Sequence, residues 1–504
     1  MTPPLVSRAY RHLHRTALTD EGGSHTYAGL LTASEAFARR FLAGELDAVG
    51  DRIAFLVPPG FAYVAVQWGI WRAGAIAVPL PVSHPPAELA RMLDDAEPSV
   101  VVAHPDLAPR VRQAALDRGV RFVRTDEVGW GKASPDASAA VLPDIDPGRP
   151  AMMIYTSGTT GRPKGAVTTH ANISAQIEGL VEAWAWTEED RILSVLPLHH
   201  VHGIVNVLGC ALWCGARCDV LSRFDPVAVW RRFAAGGLTL FMAVPTIYAR
   251  LITAWDAAGE ADRAAFSRGA GELRLMVSGS AALPVTVLER WRDLTGHVLL
   301  ERYGMTEIGM GLGNPLAGPR RPGHVGVPFP GVEVRLVGED GMPVPEGTAG
   351  EIQVRGPSVF SEYWRHAEET RAAFADGWFR TGDVAVMEGG SYRILGRASV
   401  DIIKTGGEKV SALEVEEALR EHPDVLDCAV VGVPDAEWGE RVAAALVAEP
   451  GAHPGLEALQ AWGRSRLAPH KLPRAVLVVD ALPRNAMGKV TKPAVRELFE
   501  GGIS

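Results

Sequence analysis

Lysine is scarce in this sequence. Of 50 basic residues in a chain of 504, only Lys132, Lys164, Lys404, Lys409, Lys471, Lys489 and Lys492 are lysines; the others are arginines. A chain that rarely uses lysine keeps some of it where a compact, mobile ammonium serves and a planar guanidinium does not. Basic charge as a whole is also in deficit, with a net charge of −9. That excludes nucleic acid and anionic membrane surfaces as main partners, and any anionic substrate needs a locally positive pocket. Cysteine is sparse, with four residues and no disulfide framework. Cys210, Cys214 and Cys218 recur every fourth residue, the spacing of one helical face, inside the apolar stretch LGCALWCGA; core thiols are the expected reading, ahead of a metal site.

Long apolar runs are missing too. The longest stretch without a charged side chain, Leu193 to Ala216, carries three histidines, a proline and an asparagine, so it is a poor membrane span. The N-terminal segment lacks the apolar core of a signal peptide and reads as a first helix, so a cytoplasmic protein is expected. An apolar fraction of 47% and a charged fraction of 22% are those of a globular protein, and the length calls for two or more domains.

What is present is a β-α-β alternation. Apolar runs at 52–57, 75–79, 99–103, 121–124, 151–155, 239–244 and 273–278 read as short buried strands. Helical patterns lie between them, as at 61–73 and 86–95. Stacked α/β layers with largely parallel sheets follow. From Val325 to Gly356 short alternating strands with Gly and Pro turns predict a small β subdomain. After Gly396 comes a compact βαββαβ-like run, so the expected division is a large domain over 1–396 and a small α+β domain over 397–504.

The segment 155–167, YTSGTTGRPKGAV, follows one apolar run and precedes the helical pattern of His170 to Val181. Its threonines, serine and glycines suit backbone amides brought close to a polyphosphate. Lys164 is followed by Gly165 and not by Ser or Thr, so this is not a Walker A loop. Other loops carry chemistry of the same kind. Glu301-Arg-Tyr-Gly-Met-Thr-Glu307 follows the apolar His297–Leu300, where α/β sheets place ligands. There Thr306 can donate to phosphate, and Glu307 is a hard oxygen ligand for Mg²⁺ or a solvated acid. Asp383 ends RTGD, where it accepts ribose hydroxyls or caps a turn. Arg397 follows Gly396, and Lys489 lies in PRNAMGKV; taken alone, each is an ordinary surface cation.

In this order, TSGTTGRPKG, LPLHHVHG, ERYGMTE, RTGD, GRASVDIIKTGG and PRNAMGKV resemble the adenylate-forming superfamily over essentially the whole chain. The resemblance implies a large N-terminal domain, a small mobile C-terminal domain, ATP with Mg²⁺, and an acyl-adenylate passed to a thiol such as CoA. It implies that Thr156, Ser157, Gly158, Thr159, Thr160, Gly161 and Lys164 handle the phosphates. Gly279, Ser280, Ala281, Glu301, Arg302 and Tyr303 would lie along the nucleotide and acyl group. Thr306 would touch the α-phosphate, Glu307 the metal, and Asp383 and Arg397 the ribose. Lys489 would bridge the substrate carboxylate and α-phosphate, with His200 in the catalytic and acyl-pocket set. Gly406 and Gly407 would line the thiol tunnel.

Arg302 stands at the position that faces the acyl pocket, where relatives acting on apolar acids carry Gly. A cation there is costly unless an anion meets it, which implies a small dicarboxylic acid. With VPTIYARL, SGSAALP and DIIKTGGEKVSALEVE, the chain resembles malonyl-CoA synthetases of the MatB type. Ser280, His200 and, more weakly, Arg290 would assist Arg302, and Val201 and Met305 would form pocket walls. His202 is a less definite neighbour. Glu408 and Ser399 depart from many relatives at the thiol tunnel and hinge. A monocarboxylate CoA ligase, a free-standing adenylation enzyme and a nucleotide sensor are the competing readings; no carrier domain follows within the sequence.

Overall fold

The computed structural model describes residues 1–42, 45–128, 141–156, 164–406, 408–435, 437–484 and 490–500. Its strands form four sheets. A seven-stranded sheet runs in the order Glu362–Tyr363, Lys164–Thr169, Pro150–Thr156, Ile76–Pro79, Arg52–Leu56, Val100–Ala103, Arg121–Arg124. It is parallel from Pro150–Thr156 to Arg121–Arg124 and antiparallel at the other edge. A nine-stranded sheet has a parallel centre of Leu300–Met305, Leu275–Gly279, Leu240–Ala243, Arg191–Ser194, Arg217–Val220 and Thr16–Asp20. Antiparallel strands close it at both edges. The central parallel strands, such as Ile76–Pro79, Val100–Ala103 and Leu240–Ala243, are apolar and buried at every position, as parallel strands covered on both faces are.

Helix Phe61–Arg72 shows how the layers are held together. Nearly every side chain from Tyr63 to Arg72 is buried, so the segment is apolar all round, as expected of a helix enclosed on all sides. It packs on helix Tyr27–Leu42 at Gly69, where a Cβ would come within 2.6 Å of the Phe37 ring; the missing side chain lets the two helices approach. One apolar cluster gathers residues of both large sheets, including Ile53, Val102, Ile192, Leu240 and Leu275.

The third sheet is antiparallel and reaches from Glu333 to Arg397, a wider β unit than the 325–356 texture suggested. The fourth begins at Ile402 and is built from Ile402–Thr405, Glu408–Ser411, Val425–Asp435, Gly439–Ala448 and Ala475–Val478, packed with helices Ala412–Arg420 and Lys492–Glu500.

Two sequence expectations change. The segment after the phosphate loop is not immediately helical: Lys164–Thr169 forms a strand antiparallel to Pro150–Thr156. Helix His170–Ala183 starts where its spacing predicts, at a Thr169/Asn172 capping box. The three cysteines do not share a helical face either. Helix Cys210–Cys214 ends at Gly215, and Cys218 lies on the following strand, where it is buried.

Candidate active site

The acyl end of the site is built on the strand Leu300–Met305, whose neighbour in register is Leu275–Gly279. Arg302 sits opposite Gly279 and is only 3% exposed. A Cβ on residue 279 would lie 2.5 Å from the guanidinium carbon, so glycine there leaves the space that the arginine crosses. Arg302 Nη2 donates to Ser280 Oγ at 3.2 Å. Its Nε and Nη1 are buried with no partner, and among the described residues no acid pairs with it. Burial pulls its pKa down to about 9, which still leaves a cation at neutral pH. Ser280 itself has φ +70°, a left-handed conformation that costs a non-glycine residue energy and that clusters at functional sites.

Ser280 Oγ accepts from Arg302 Nη2 and shares a further hydrogen bond with His202 Nδ1, 3.2 Å away. Burial holds the His202 pKa well below the usual value. Its Nε2 is buried and unpartnered. Three buried nitrogens, two on Arg302 and one on His202, therefore lack partners around one serine. His202 opens a π-helical segment, His202–Gly209, a form that recurs at functional sites. His199, beside His200 with ring centroids 4.1 Å apart, is driven to a pKa of about 2 by burial and by His200 and His84. This end of the site holds neutral imidazoles around one permanent cation.

The nucleotide end gathers residues from three distant segments. Asp383 accepts from Tyr303 Oη at 2.7 Å and from Arg397 Nε at 2.9 Å. Burial alone would weaken the Arg397 cation, but Asp383, Tyr303 and Glu307 outweigh it and raise its pKa. Glu307 is 5% exposed, and burial raises its pKa. Its Oε1 accepts from Tyr363 Oη at 2.9 Å. A buried carboxylate with one oxygen not used by Tyr363 is the donor type that Mg²⁺ takes, so the residue fits that ion. Thr156 pairs in register with Lys164, and the Lys164 ammonium lies 5.3 Å from the Tyr363 ring centre. Thr306 follows the strand and is half-buried.

Other expected residues are placed differently. Glu301 adjoins Arg302 in the strand, so its side chain takes the opposite face. It accepts from Gly323 N at 3.2 Å, and burial pushes its pKa up to about 8. Arg290 does not assist Arg302: it is half-exposed, 2.6 Å from Asp256 and stacked over Trp255. Its helix, Val285–Thr295, turns residue 290 outward because Leu288, Trp291 and Leu294 take the buried face. Ala281 is exposed beside Ser280. Gly406 sits in the turn of the hairpin Ile402–Ser411, which an exposed Lys409–Glu339 ion pair ties to the third sheet. Ser157, Gly158, Thr159, Thr160, Gly161, Gly407 and Lys489 lie outside the described residues.

Sequence reading left His202 indefinite and missed Tyr363. For His202 the signal was present, as the third histidine of LPLHHVHG. No local pattern marks Tyr363, whose partners come from strand pairing across the sheet.

A family model described as AMP-binding enzyme matches residues 5–364, and one described as AMP-binding enzyme C-terminal domain matches residues 414–489. The mitochondrial malonate–CoA ligase ACSF3 of Xenopus laevis is 46% identical over 97% of this chain and 90% of its own. The malonate–CoA ligase of Arabidopsis thaliana is 38% identical over 98% and 88%. Among solved structures, ATP-bound MatB from Rhodopseudomonas palustris superposes with a TM-score of 0.88 at 34% identity, over 99% of both chains. Its apo form gives 0.81, so the arrangement here is more like the ATP-bound one.

Proposed function

The chain belongs to the AMP-binding enzyme family, and from that premise we propose that it joins malonate or methylmalonate to CoA, consuming ATP and releasing AMP and pyrophosphate through an acyl-adenylate. The observation that carries the substrate class is Arg302, a buried cation whose Nε and Nη1 have no partner, beside the unpartnered Nε2 of His202. A second carboxylate on the acid supplies the acceptors that these donors lack. A monocarboxylate leaves them unsatisfied, at a cost of several kcal/mol, on the order found for unpaired buried charge.

In the first half-reaction a carboxylate oxygen attacks the α-phosphorus in line, and the bond to the pyrophosphate oxygen breaks. The carboxylate is ionised at neutral pH, so no general base is required; positioning and charge neutralisation do the work. Lys489 meets the carboxylate and α-phosphate, and Thr306 donates to the same phosphate. Residues 156–161 and Lys164 receive the pyrophosphate. Asp383, oriented by Tyr303 and Arg397, takes the ribose hydroxyls. Glu307 would hold Mg²⁺, which supplies charge neutralisation to the departing phosphates. In the second half-reaction the CoA sulfur, having given up its proton, attacks the acyl carbon and AMP leaves. The 397–504 domain turns between the two steps, bringing the Gly406-Gly407 turn to the thiol path. We also propose a cytoplasmic location. A fluorescent fusion tests that, and a mitochondrial signal, as the name of the Xenopus relative carries, would overturn it. Among the described residues no helix is long and apolar enough to cross a membrane.

Pyrophosphate release across malonate, methylmalonate, acetate, succinate and benzoate, with CoA present, tests the reading. Malonate or methylmalonate is expected to give the highest kcat/KM. Equal or better turnover of acetate would remove the role of Arg302 and with it the assignment.

A further inference from the structure

We propose that Tyr363 is a positioning residue for the phosphate end of ATP, which keeps the Lys164 ammonium and the Glu307 carboxylate apart so that neither neutralises the other. The inference rests on the roles proposed above for Lys164 and Glu307.

The strap 357–364 is bonded on both sides. Toward the strand end that carries Glu307, Ser358 Oγ donates to Ile308 O at 2.9 Å and Phe360 N to Glu307 O at 2.7 Å. Toward the arm that begins at Lys164, Ser361 N donates to Val167 O at 2.9 Å and Trp364 N to Gly165 O at 2.7 Å. Glu362 and Tyr363 pair in register with Val167 and Ala166. At the strap's start, Asn172 Nδ2 holds Pro357 O at 2.8 Å. The strap thus fixes the hairpin arm relative to the strand end, two segments more than 130 residues apart in sequence.

Tyr363 faces both charges from that strap. Its hydroxyl is on Glu307 Oε1 at 2.9 Å, its ring centre is 5.3 Å from Lys164 Nζ, and Phe360 braces the ring edge-on at 4.7 Å. Glu307 and Lys164 make no ion pair with each other among the described residues. Opposite charges that share one aromatic neighbour attract each other. An ion pair between them would consume both groups that ATP needs: the ammonium for the pyrophosphate oxygens and the carboxylate for the cation. One aromatic ring with one hydroxyl prevents this. The ring face attracts the ammonium without donating or accepting a proton, and the hydroxyl occupies one carboxylate oxygen, leaving the other. Phenylalanine offers only the first contact, and an aliphatic side chain neither.

Equilibrium ATP binding by calorimetry on the full chain, with Mg²⁺ or with EDTA, separates these contributions. For Y363F, the Kd with Mg²⁺ is expected to weaken at least fivefold and the Kd in EDTA to stay within twofold. For Y363L, both are expected to weaken at least tenfold as Lys164 moves onto Glu307. The double variant Y363L/E307Q is then expected to recover metal-free affinity, because Lys164 has lost the acid. A Y363F protein with unaltered Mg²⁺ dependence overturns the inference, and so does a double variant no tighter than Y363L. Y363F keeps the ring against Phe360, so the test stands if Y363L fails to fold. E307Q alone is the control on the underlying reading. If it leaves the Mg²⁺ dependence untouched, Glu307 is not on the metal side and both ideas fall. If it abolishes that dependence while Y363F is silent, only the role of Tyr363 falls.

Discussion

Arg302→Met removes the guanidinium and keeps a long unbranched stem in the same slot. In the free protein the arginine has one hydrogen bond, to Ser280, and two buried donors with no acceptor. Losing an uncompensated buried cation is neutral or stabilising for the fold, so the melting temperature is expected to hold or rise. Catalysis is expected to move the other way. A carboxylate meeting both free donors gains two charge-assisted bonds, each worth about 1.5–3 kcal/mol. Allowing for their non-additivity, the pair contributes about 3–5 kcal/mol, or roughly a hundred- to several-thousandfold in kcat/KM. The assay is malonate- and acetate-dependent pyrophosphate release with CoA in excess. Malonate kcat/KM should fall by that factor, ATP KM should stay within about twofold, and acetate kcat/KM should hold or rise, since the acetate methyl no longer faces an unpaired cation. Equal losses for malonate and acetate would refute the reasoning, because the arginine would then serve the fold or the nucleotide and not the second carboxylate.

Three further outcomes follow from the same geometry. His202→Leu removes the buried, unpartnered Nε2 beside Arg302 and is expected to raise malonate KM about tenfold, the worth of one hydrogen bond, with ATP KM unchanged in steady-state kinetics. Glu301 is buried with its pKa raised to about 8. The folded protein therefore holds a proton that the unfolded chain releases near pH 4.5, and this contribution is complete at low pH and lost as pH climbs to about 8; Glu301→Gln should gain stability over the wild type progressively between those limits in urea titrations. Asp219 is fully buried and bonded to Arg191, Arg217 and Arg232, so Asp219→Ala should cost about 3–5 kcal/mol in chemical denaturation, as when one partner of a buried ion cluster is removed.

Arg302 was legible only through the family resemblance, which puts residue 302 beside the acyl pocket; its place in strand Leu300–Met305, in register with Gly279, comes from the fold. The parallel strands were legible directly: runs such as Val100–Ala103, buried at every position, need no partner to be recognised. The hairpin arm Lys164–Thr169 was missed because KGAVTT is short, half small residues, and followed at once by a strong helical pattern; its strand state comes from pairing with Pro150–Thr156 and Glu362–Tyr363. Cys218 failed likewise: a four-residue period persists on paper past Gly215, but the left-handed turn there, at φ +79°, ends the helix. Arg290 was misplaced because helical spacing had not been used to ask which face it takes. Tyr363 was invisible because its meaning lies in contacts to residues 307 and 164, which only the folded sheet brings within reach.

The packing also bears on how the two half-reactions share one site. Among the described residues, no apolar cluster crosses the interval between Arg397 and Ile402. Four clusters are built from residues before it, and the remaining two lie wholly after it. What joins the two sides is polar. Glu417 accepts from Val285 N at 2.7 Å, Asp401 accepts from Arg397 N at 3.0 Å, Ser411 donates to Leu395 O, and Lys409 pairs with Glu339. The last of these is exposed and worth little. Water can replace each of them if the last hundred residues turn as proposed, whereas separating an apolar interface would cost about 25 cal/mol for every Å² exposed. Such a joint suits the proposed reaction: it is firm enough to define one arrangement, and its polar contacts can be exchanged for others. Within the small unit, Lys492 is tied to Glu416 and Asp401.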